Sequence, residues 1–270
     1  MAVRSATINV MAAAALKAAR GLIRDFGEVE QLQVSIKGPG DFVSAADLKA
    51  EKVLRAELGK ARPGYGFLME ESGAEPGRDE HHRWLVDPLD GTSNFLHGIP
   101  HFAISIALER DSEIVAGVIY EPVRDEMFWA EKGAGAFHND RRLRVSARRQ
   151  LAETLIGTGI PFAGRGDPKT YLATLAAVMA ATSGVRRMGV ASLDLAYVAA
   201  GRFDGYWEFN LQPWDMAAGI LIVREAGGYV TDMDGGHAML TTGDVLAAND
   251  LVHQPLAQLL KTSLRAAAAN

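Results

Sequence analysis

The chain has 270 residues, 48% of them hydrophobic and 23% charged, with a formal net charge of -5 at pH 7. This composition is typical of a soluble globular protein with a sizeable core, and the acidic balance lacks the basic surface that nucleic-acid binding needs. The sequence contains no cysteine, which excludes disulfides, thiolate zinc sites and cysteine nucleophiles and is compatible with a cytoplasmic location.

The N-terminal half combines helices with a run of antiparallel strands. Helical periodicity covers residues 2–26 and 45–58, and the Gly- and Pro-rich residues 37–41 between them predict an irregular loop. An apolar run and period-two patterns predict strands at residues 83–86, 102–108, 114–120 and 126–130. The first helix continues through charged residues beyond its alanine-rich start, and no uncharged stretch reaches the roughly 20 residues of a membrane span. We therefore predict no membrane segment.

The C-terminal half alternates strands and helices, which predicts a second α/β unit. The predicted elements are strands at residues 155–158, 205–209 and 245–248 and helices at residues 170–181, 192–200, 214–226 and 250–265. We place the domain boundary in the basic connection before them, which gives an N-terminal half at 1–145 and a C-terminal half at 146–270.

Residues 84–95 carry the most distinctive pattern in the chain. Asp87 and Asp90 stand three positions apart across Pro88, where an apolar run stops, and a Gly-Thr-Ser step suited to starting a helix follows. The proline fixes one backbone torsion, so the turn after Asp87 is stiff. Two carboxylates this close repel each other, and would repel a phosphate, by roughly 1 to 4 kcal/mol per pair. Because a bound cation resolves that conflict, the segment predicts a metal and phosphate site.

Further acids stand where the predicted structure changes, which is where site residues tend to lie in α/β folds. Glu70 and Glu71 follow an apolar run, Asp47 opens a helix, and Asp215 starts the helix at 214–226. Taken singly, Asp47 and Asp215 are explained by helix capping or first-turn charge, and the two glutamates by a solvated loop. Their joint occurrence favours a shared carboxylate site.

Several motifs together give the chain a strong resemblance to a known family. They are Asp87-x-x-Asp90-Gly91-Thr92, Trp214-Asp215-x-Ala217-Ala218-Gly219, Glu225-Ala226-Gly227-Gly228, Lys37-Gly38-x-x-Asp41 and Glu70-Glu71-Ser72-Gly73. On these motifs, the chain resembles the inositol monophosphatase family of magnesium-dependent phosphatases over nearly all of its length. Residues 193–202 look closest to the family's bacterial inositol-1-monophosphatases.

The resemblance implies a layered αβαβα sandwich of α+β or α/β class, with an antiparallel N-terminal sheet, a mostly parallel C-terminal sheet and the active site between them. It implies Mg²⁺ as cofactor, with two or three ions per site. Glu70, Asp87 and the carbonyl of Leu89 would hold the first ion, and a weaker third would use Glu70. Asp87, Asp90 and Asp215 would hold the second. The chemistry agrees, since Mg²⁺ prefers hard oxygen ligands and is normally shared with substrate phosphate.

The resemblance also assigns roles around the ions. Thr92, helped by Asp47, would polarise the attacking water, and Glu70 would complete the catalytic set. The amides of Gly91 and Thr92, at a helix N-terminus, would take the phosphate oxygens. The other implied substrate contacts are Gly189, Ala191, Glu208 and Asp215. The supporting residues are Lys37, as a counter-charge, and Glu71. Judged from the residues alone, Glu208 is equally an exposed charge at a strand end.

The implied reaction is lithium-sensitive, Mg²⁺-dependent hydrolysis of a phosphate monoester by metal-activated water, with inositol monophosphate as the first choice of substrate. No covalent intermediate is needed. The implied partners are a small phosphorylated polyol or sugar and a second copy of the chain in a homodimer, with no nucleic acid and no membrane. The expected location is cytoplasmic.

Three other interpretations of the sequence compete with this one. A phosphatase that phosphorylates its own aspartate needs that aspartate two positions before another, whereas Asp87 and Asp90 are three positions apart and position 88 is Pro. A related phosphatase acting on another sugar or nucleotide phosphate stays open, because the sequence favours the inositol type only through residues 90–95. A bacterial relative that mainly binds the transcription and ribosome-assembly machinery also stays open, although the complete set of metal acids favours an enzyme.

Overall fold

The computed structural model describes residues 3–28, 34–38, 41–161 and 166–269, with the backbone alone at 34–38, 41–43 and 269. The α-helices in these residues are Ala6–Phe26 (α1), Ala45–Ala61 (α2), Thr92–Leu96 (α3), Pro168–Ala181 (α4), Ala191–Ala199 (α5), Pro213–Glu225 (α6), Met239–Thr242 (α7) and Asp250–Ala269 (α8). The strands of the first half are Val34–Gly38 (β1), Asp41–Ser44 (β2), Gly66–Met69 (β3), Gly73–Glu75 (β4), His82–Asp90 (β5), Ala103–Arg110 (β6), Glu113–Glu121 (β7), Glu126–Glu131 (β8), Gly135–His138 (β9) and Arg141–Arg142 (β10). The strands of the second half are Leu155–Thr158 (β11), Gly184–Arg186 (β12), Gly205–Glu208 (β13), Tyr229–Thr231 (β14) and Val245–Ala248 (β15).

These elements form layers in the order helix, sheet, helix, sheet, helix. The first sheet has eight strands in the order β10-β9-β8-β7-β6-β5-β3-β4, and the second has five in the order β12-β11-β13-β15-β14. α1 and α2 cover one face of the first sheet, α5 and α6 lie between the sheets, and α4 and α8 cover the outer face of the second. The predicted αβαβα sandwich is confirmed.

The two sheets differ in how their strands are connected. The first is antiparallel apart from the β3–β5 pair. In the second, β11 pairs in parallel with β12 and β13, whereas β15 pairs antiparallel with β13 and β14. A parallel pair needs a crossover connection. α4 connects β11 to β12, and α5 connects β12 to β13. The predicted parallel character is therefore confined to one half of a mixed sheet.

Alternation along the strands divides the core between the layers. Tyr206 on β13 faces α5 and α6, while its neighbour Trp207 faces α4 and α8, and both are fully buried. In the middle layer, a Cβ added to Gly117 of β7 would lie 3.0 Å from the Cα of Ala218 in α6. Glycine at this position lets α6 lie directly on the first sheet, with its N-terminus near the end of β5.

The first helix, α1, is rich in apolar residues. By length and composition, α1 is the one helix in the described ranges that is apolar enough to cross a membrane. Many of its apolar residues, among them Ile8, Met11 and Leu22, are buried in the core formed with α2 and the first sheet. The predicted folded helix is present, beginning at Ala6 rather than at residue 2.

Two predictions about connections have different outcomes. The irregular loop predicted at residues 37–41 is wrong at both ends, because Lys37 and Gly38 belong to β1 and Asp41 to β2, which pair antiparallel, and residues 39–40 lie outside the described residues. The first sheet ends with β10 and the second begins with β11, on either side of residue 145. Because α5 and α6 pack against both sheets, a division into 1–145 and 146–270 stays a prediction.

Candidate active site

A bulge in β5 turns its two aspartates toward the same side of the first sheet. Asp87 pairs with Ser105 and Asp90 pairs with Ala103, so three steps along β5 match two along β6. Residues three apart in a regular strand point to opposite faces, and the extra residue brings them back to one face. Pro88 lies inside the bulge, between the paired residues. Proline has no N–H to donate, and at this position the ladder does not need one.

Parallel pairing brings a third acid to the same edge. β3 and β5 run side by side with Met69 opposite Val86. Glu70 follows β3, and its amide donates to the carbonyl of Val86 at 3.1 Å. Since the carboxyl ends of parallel neighbours meet at one edge, the Glu70 side chain emerges beside Asp87.

The N-terminus of α6 supplies the fourth acid. Asp215 forms a capping box with Gln212, whose amide donates to Asp215 Oδ2 at 2.8 Å. The hydroxyl of Ser105, the ladder partner of Asp87, donates to the carbonyl of Trp214 at 3.1 Å. Asp215 therefore caps its helix and also lines the same cleft as Asp87.

Asp47 and Thr92 meet behind this edge although they are far apart in the sequence. Thr92 Oγ1 lies 3.1 Å from Asp47 Oδ1 and 3.1 Å from the carbonyl oxygen of Leu89, and its single proton has these two acceptors. The other oxygen of Asp47 accepts the amide and the hydroxyl of Ser44 in the capping box of α2. Burial raises the pKa of Asp47, and the hydrogen bonds from Ser44 and Thr92 oppose that rise. The pair is thus a buried carboxylate that holds a hydroxyl in place.

Most of the predicted site residues line one cleft of about 220 Å³. They are Glu70, Asp87, Leu89, Asp90, Gly91, Thr92, Gly189, Ala191, Glu208 and Asp215. Asp47 lies behind Thr92, fully buried. Glu71 is not part of the lining, and its amide donates to Glu51 Oε2 at 2.9 Å. Lys37 belongs to β1, and its side chain falls outside the described residues.

The acids of the cleft are crowded strongly enough to resist ionisation. Burial, followed by the negative charges of Glu70, Asp90 and Asp215, raises the pKa of Asp87 well above its ordinary value. Burial raises the pKa of Asp90 to about 7, with smaller contributions from Glu70 and Glu208, against the hydrogen bonds from Ser192. The Ser192 amide donates to Asp90 Oδ2 at 2.7 Å. Among the described residues that line the cleft, the one basic side chain is Arg187.

The chemistry of these donors fits a hard divalent cation. Carboxylate and carbonyl oxygens without His or Cys are the ligands that Mg²⁺ prefers, and a positive ion would relieve the mutual repulsion of Asp87, Asp90, Glu70 and Asp215. Within the described part of the chain, no three Asp, Glu, His or Cys side chains are already arranged as a metal site. In the protein without metal, bound protons offset the repulsion in the shared cleft, which is why the pKa values of Asp87 and Asp90 are raised, and a cation would take the place of those protons.

The start of α3 has the geometry of an anion site. Gly91 adopts φ 96° and precedes Thr92, the first residue of the helix. A Cβ at Gly91 would lie 2.8 Å from Val190 Cγ2, so both the positive φ and the packing require glycine. The first N–H groups of a helix have no intrahelical partner, which leaves the amides of Gly91 and Thr92 for a ligand.

Glu208 closes the far end of the cleft and depends on a glycine that the sequence did not single out. A Cβ at Gly159 would come within 1.8 Å of Glu208 Oε1, so the carboxylate lies directly over the Gly159 backbone. The Tyr206 hydroxyl donates to Glu208 Oε2. The interpretation of Glu208 as an exposed strand-end charge is therefore wrong, because the side chain is partly buried and accepts a hydrogen bond from a buried tyrosine.

Asp194 is a second feature that sequence reasoning missed. It is fully buried on α5, and neither of its carboxylate oxygens has a hydrogen-bond partner. Burial, followed by the negative charges of Glu208 and Asp90, raises the pKa of Asp194 well above its ordinary value. An aspartate between two leucines in a predicted helix was the available signal.

Known proteins of similar sequence and fold point to one family. The sequence model of the inositol monophosphatase family matches residues 4–266. An inositol-1-monophosphatase of Mesorhizobium japonicum is 62% identical over 97% of this chain and 99% of its own length. A Nus factor SuhB of Pseudomonas aeruginosa is 44% identical over 90% of this chain and 91% of its own length. The crystal structure of an extragenic suppressor protein suhB from Bartonella henselae superposes with a TM-score of 0.93 at 61% identity, covering 95% of this chain and 99% of that one.

The family is a phosphatase family that is generally metal-dependent and acts on phosphorylated substrates, which agrees with the carboxylates and helix N-terminus of the cleft. The chain belongs to the inositol monophosphatase family and is a phosphoric monoester hydrolase.

Proposed function

We propose that the chain hydrolyses inositol 1-phosphate, or a closely similar polyol phosphate, to the free alcohol and phosphate with Mg²⁺. The observation that carries this proposal is the convergence of Glu70, Asp87, Asp90 and Asp215 on one cleft that also contains the N-terminus of α3. The 62% identity to a protein named inositol-1-monophosphatase supports the choice of substrate.

Two or three Mg²⁺ ions per site are part of the proposal. Glu70, Asp87, Asp90, Asp215 and the Leu89 carbonyl would hold them. When bound, the ions would neutralise phosphate oxygens as Lewis acids and lower the pKa of coordinated water. The chain itself fixes where the donors stand, because the bulge in β5 sets two of them and the capping box of α6 sets a third.

Thr92 and Asp47 are the proposed activating pair. When the Thr92 hydroxyl donates to Asp47, the lone pairs of its oxygen are left to accept a hydrogen bond from a water molecule in the cleft. The raised pKa of Asp47 makes it a stronger base than an exposed aspartate, which favours passing the Thr92 proton to Asp47 as Thr92 takes one from the water. The amides of Gly91 and Thr92 would hold phosphate oxygens in line with that water.

The alcohol is proposed to bind at the opposite end of the cleft. Glu208 would accept hydrogen bonds from its hydroxyls, while Gly189 and Ala191 let the chain pass close to the ring. A Cβ at Gly189 would lie 2.8 Å from a guanidinium nitrogen of Arg187, so this glycine also leaves room for the Arg187 side chain. Lys37 and Glu71 are proposed as supporting residues.

A panel of phosphate monoesters tests the proposal directly. Inositol 1-phosphate, fructose 1,6-bisphosphate, histidinol phosphate and adenosine 3′,5′-bisphosphate are to be assayed with Mg²⁺, with and without Li⁺. We expect inositol 1-phosphate to have the highest kcat/KM and its hydrolysis to be inhibited by Li⁺. A higher kcat/KM for any other ester would identify that ester as the preferred substrate instead. Equal activity after removal of Mg²⁺ would refute the proposed cofactor.

A second candidate function comes from the relatives. The chain is 44% identical to a protein named Nus factor SuhB, so binding to the transcription machinery is a candidate role beside catalysis. Recovery of transcription factors from lysate with Asp87→Asn as well as with the unmodified chain would support it, and their absence from both would exclude it. A homodimer and a cytoplasmic location complete the proposal, and sedimentation of the purified chain checks the first.

A further inference from the structure

Asn94, on the short helix α3, connects two parts of the cleft that are far apart in the sequence. Its side-chain nitrogen donates to the carbonyl oxygen of His101 at 2.9 Å and to that of Met188 at 3.0 Å. Met188 is 94 positions away and lies in the irregular segment between β12 and α5. We call the Asn94 side chain with these two carbonyls the Asn94 bridge.

The two acceptors of the Asn94 bridge explain why an amide side chain stands at this position. A carbonyl oxygen can only accept a hydrogen bond, so both partners need a donor, and an NH₂ group has one hydrogen for each. The same two acceptors settle which atom of the amide faces them. Asn94 is 6% exposed, so both bonds are largely shielded from water. A leucine of similar size would leave both carbonyls without this donor.

Both sides of the Asn94 bridge carry groups that are proposed to hold the substrate. Gly91 and Thr92, at the start of α3, have the amides proposed to bind the phosphate oxygens. Beyond β12, the segment contributes Arg187, Gly189 and Ala191 to the lining of the cleft. The bridge therefore joins the phosphate end of the cleft to the wall formed by residues 187–191.

Two further contacts hold the same segment beside the bridge. The Ser192 amide donates to Asp90 Oδ2 at 2.7 Å. Val190 packs so closely that a Cβ added to Gly91 would lie 2.8 Å from Val190 Cγ2. Val190 is the N-cap of α5 but makes no side-chain cap hydrogen bond. The start of α5 is therefore positioned by contacts with the end of β5 and with α3.

α3 is anchored independently on its other side. It has five residues, and a helix of that length has little stability of its own. Phe95 is fully buried in the core of the first sheet, where its ring meets that of Phe102 edge-on at 5.0 Å. Because Phe95 keeps α3 on the first sheet, loss of the Asn94 bridge should release the segment after β12 and leave the helix in place.

We propose that Asn94 is a positioning residue for hydrolysis, which fixes the distance between the phosphate-binding start of α3 and the wall formed by residues 187–191. The proposal rests on the proposed function for the groups that hold the phosphate and the alcohol. It gives a part in turnover to a side chain that is assigned to neither the ions nor the phosphate. When the wall shifts, the ester loses its alignment, while phosphate alone still binds.

Asn94→Leu tests the proposal, because leucine has a similar size and no donor. The measured quantities are kcat and KM for the ester that the unmodified chain hydrolyses best, and the inhibition constant of inorganic phosphate. We expect kcat/KM to fall by about ten- to a hundredfold, since small misplacements of a bound substrate have effects of this size. The inhibition constant of phosphate should stay nearly the same, because phosphate needs the ions and the amides of α3 but not the wall.

Asn249→Leu is the matched control. Asn249 is also a buried asparagine whose side-chain nitrogen donates twice, to Ser146 Oγ and to the Arg148 carbonyl, each at 3.0 Å, and it lies outside the cleft. Its oxygen accepts two amides at the start of α8, so this variant should lose at least as much stability as Asn94→Leu. Its kcat/KM should still equal that of the unmodified chain at a temperature where both variants are folded. Asn94→Ala replaces Asn94→Leu if the leucine variant does not fold.

Hydrogen exchange gives a measurement that does not depend on activity. The amides of residues 186–192 should exchange faster in Asn94→Leu than in the unmodified chain, and at the unmodified rate in Asn249→Leu. Unchanged exchange or unchanged kcat/KM in Asn94→Leu would overturn the proposal. So would an equal loss of kcat/KM in both variants, or a loss of phosphate affinity as large as the loss in kcat/KM. If the unmodified chain hydrolyses no ester, the proposed function fails, and the Asn94 bridge is then judged by the exchange rates alone.

Discussion

Asp232 and Asp87 are both buried aspartates, but their surroundings are opposite. Burial raises the pKa of Asp232, yet backbone amides that include those of Gly236, Ala238 and Asp234 hold it below the ordinary value. Asp87 faces other carboxylates, and its pKa is well above the ordinary value.

The contrast distinguishes a carboxylate with a structural role from one that is suited to binding a ligand. In the Asp232 loop, which follows β14, the chain itself supplies donors for the negative charge. Around Asp87, two neighbouring strands and a helix N-terminus bring further acids, and the ionised forms are stabilised when a cation binds. The two regions should therefore respond in opposite ways to removal of charge.

The largest effect is expected from Asp87→Asn. Because Asp87 is proposed to bind two ions at once, turnover with Mg²⁺ should fall by about a thousandfold. The metal-free protein should unfold at the same temperature as the unmodified chain or a higher one, since a repelled charge has been removed. Steady-state assays and thermal unfolding check the two parts, and near-normal turnover would contradict the assignment.

Thr92→Val should have the next largest effect. Loss of the hydroxyl that Asp47 holds should lower kcat by about a hundredfold and leave KM nearly unchanged. Thr92→Ser is the control, because it keeps the hydroxyl and should recover much of the activity. A change confined to KM would show that Thr92 acts in substrate binding and not in water activation.

Asp90 should make the metal-free protein less stable as the pH rises. An unfolded aspartate loses its proton near pH 3.8, whereas folded Asp90 keeps it until about pH 7. The folded state therefore binds more protons between these values, and its free energy of unfolding should fall across that window, by at most ~4 kcal/mol from this residue. Chemical denaturation at a series of pH values measures the slope. Asp90→Asn should flatten it, and an unchanged slope would rule out Asp90 as a source.

The smallest effect is expected from Asp232→Asn. An amide nitrogen would replace one acceptor oxygen and face the Ala238 amide, which should lower the free energy of unfolding by ~1 kcal/mol. Turnover should not change, because Asp232 lies outside the cleft. A loss of turnover in a well-folded variant would remove the distinction between the two regions.

Much of the site could be predicted from local sequence, because its acids follow strands or begin helices. The last strand was predicted at its observed bounds, Val245–Ala248, and Asp87 and Asp90 were identified from their spacing. The bulge that turns them to one face depends on pairing with β6, and the hydrogen bond to Asp90 comes from the Ser192 backbone, which no motif reveals. The position of Glu208 over Gly159 arises from contacts between distant segments.

The central claim is that the four carboxylates of the cleft form a site for divalent cations. Thermal unfolding with and without Mg²⁺, compared between the unmodified chain and Asp87→Asn, tests it most directly. A ligand that binds the folded state raises the unfolding temperature, so the unmodified chain should gain several degrees, about 2–4 °C per kcal/mol, and the variant almost none. An equal gain in both proteins would contradict the account.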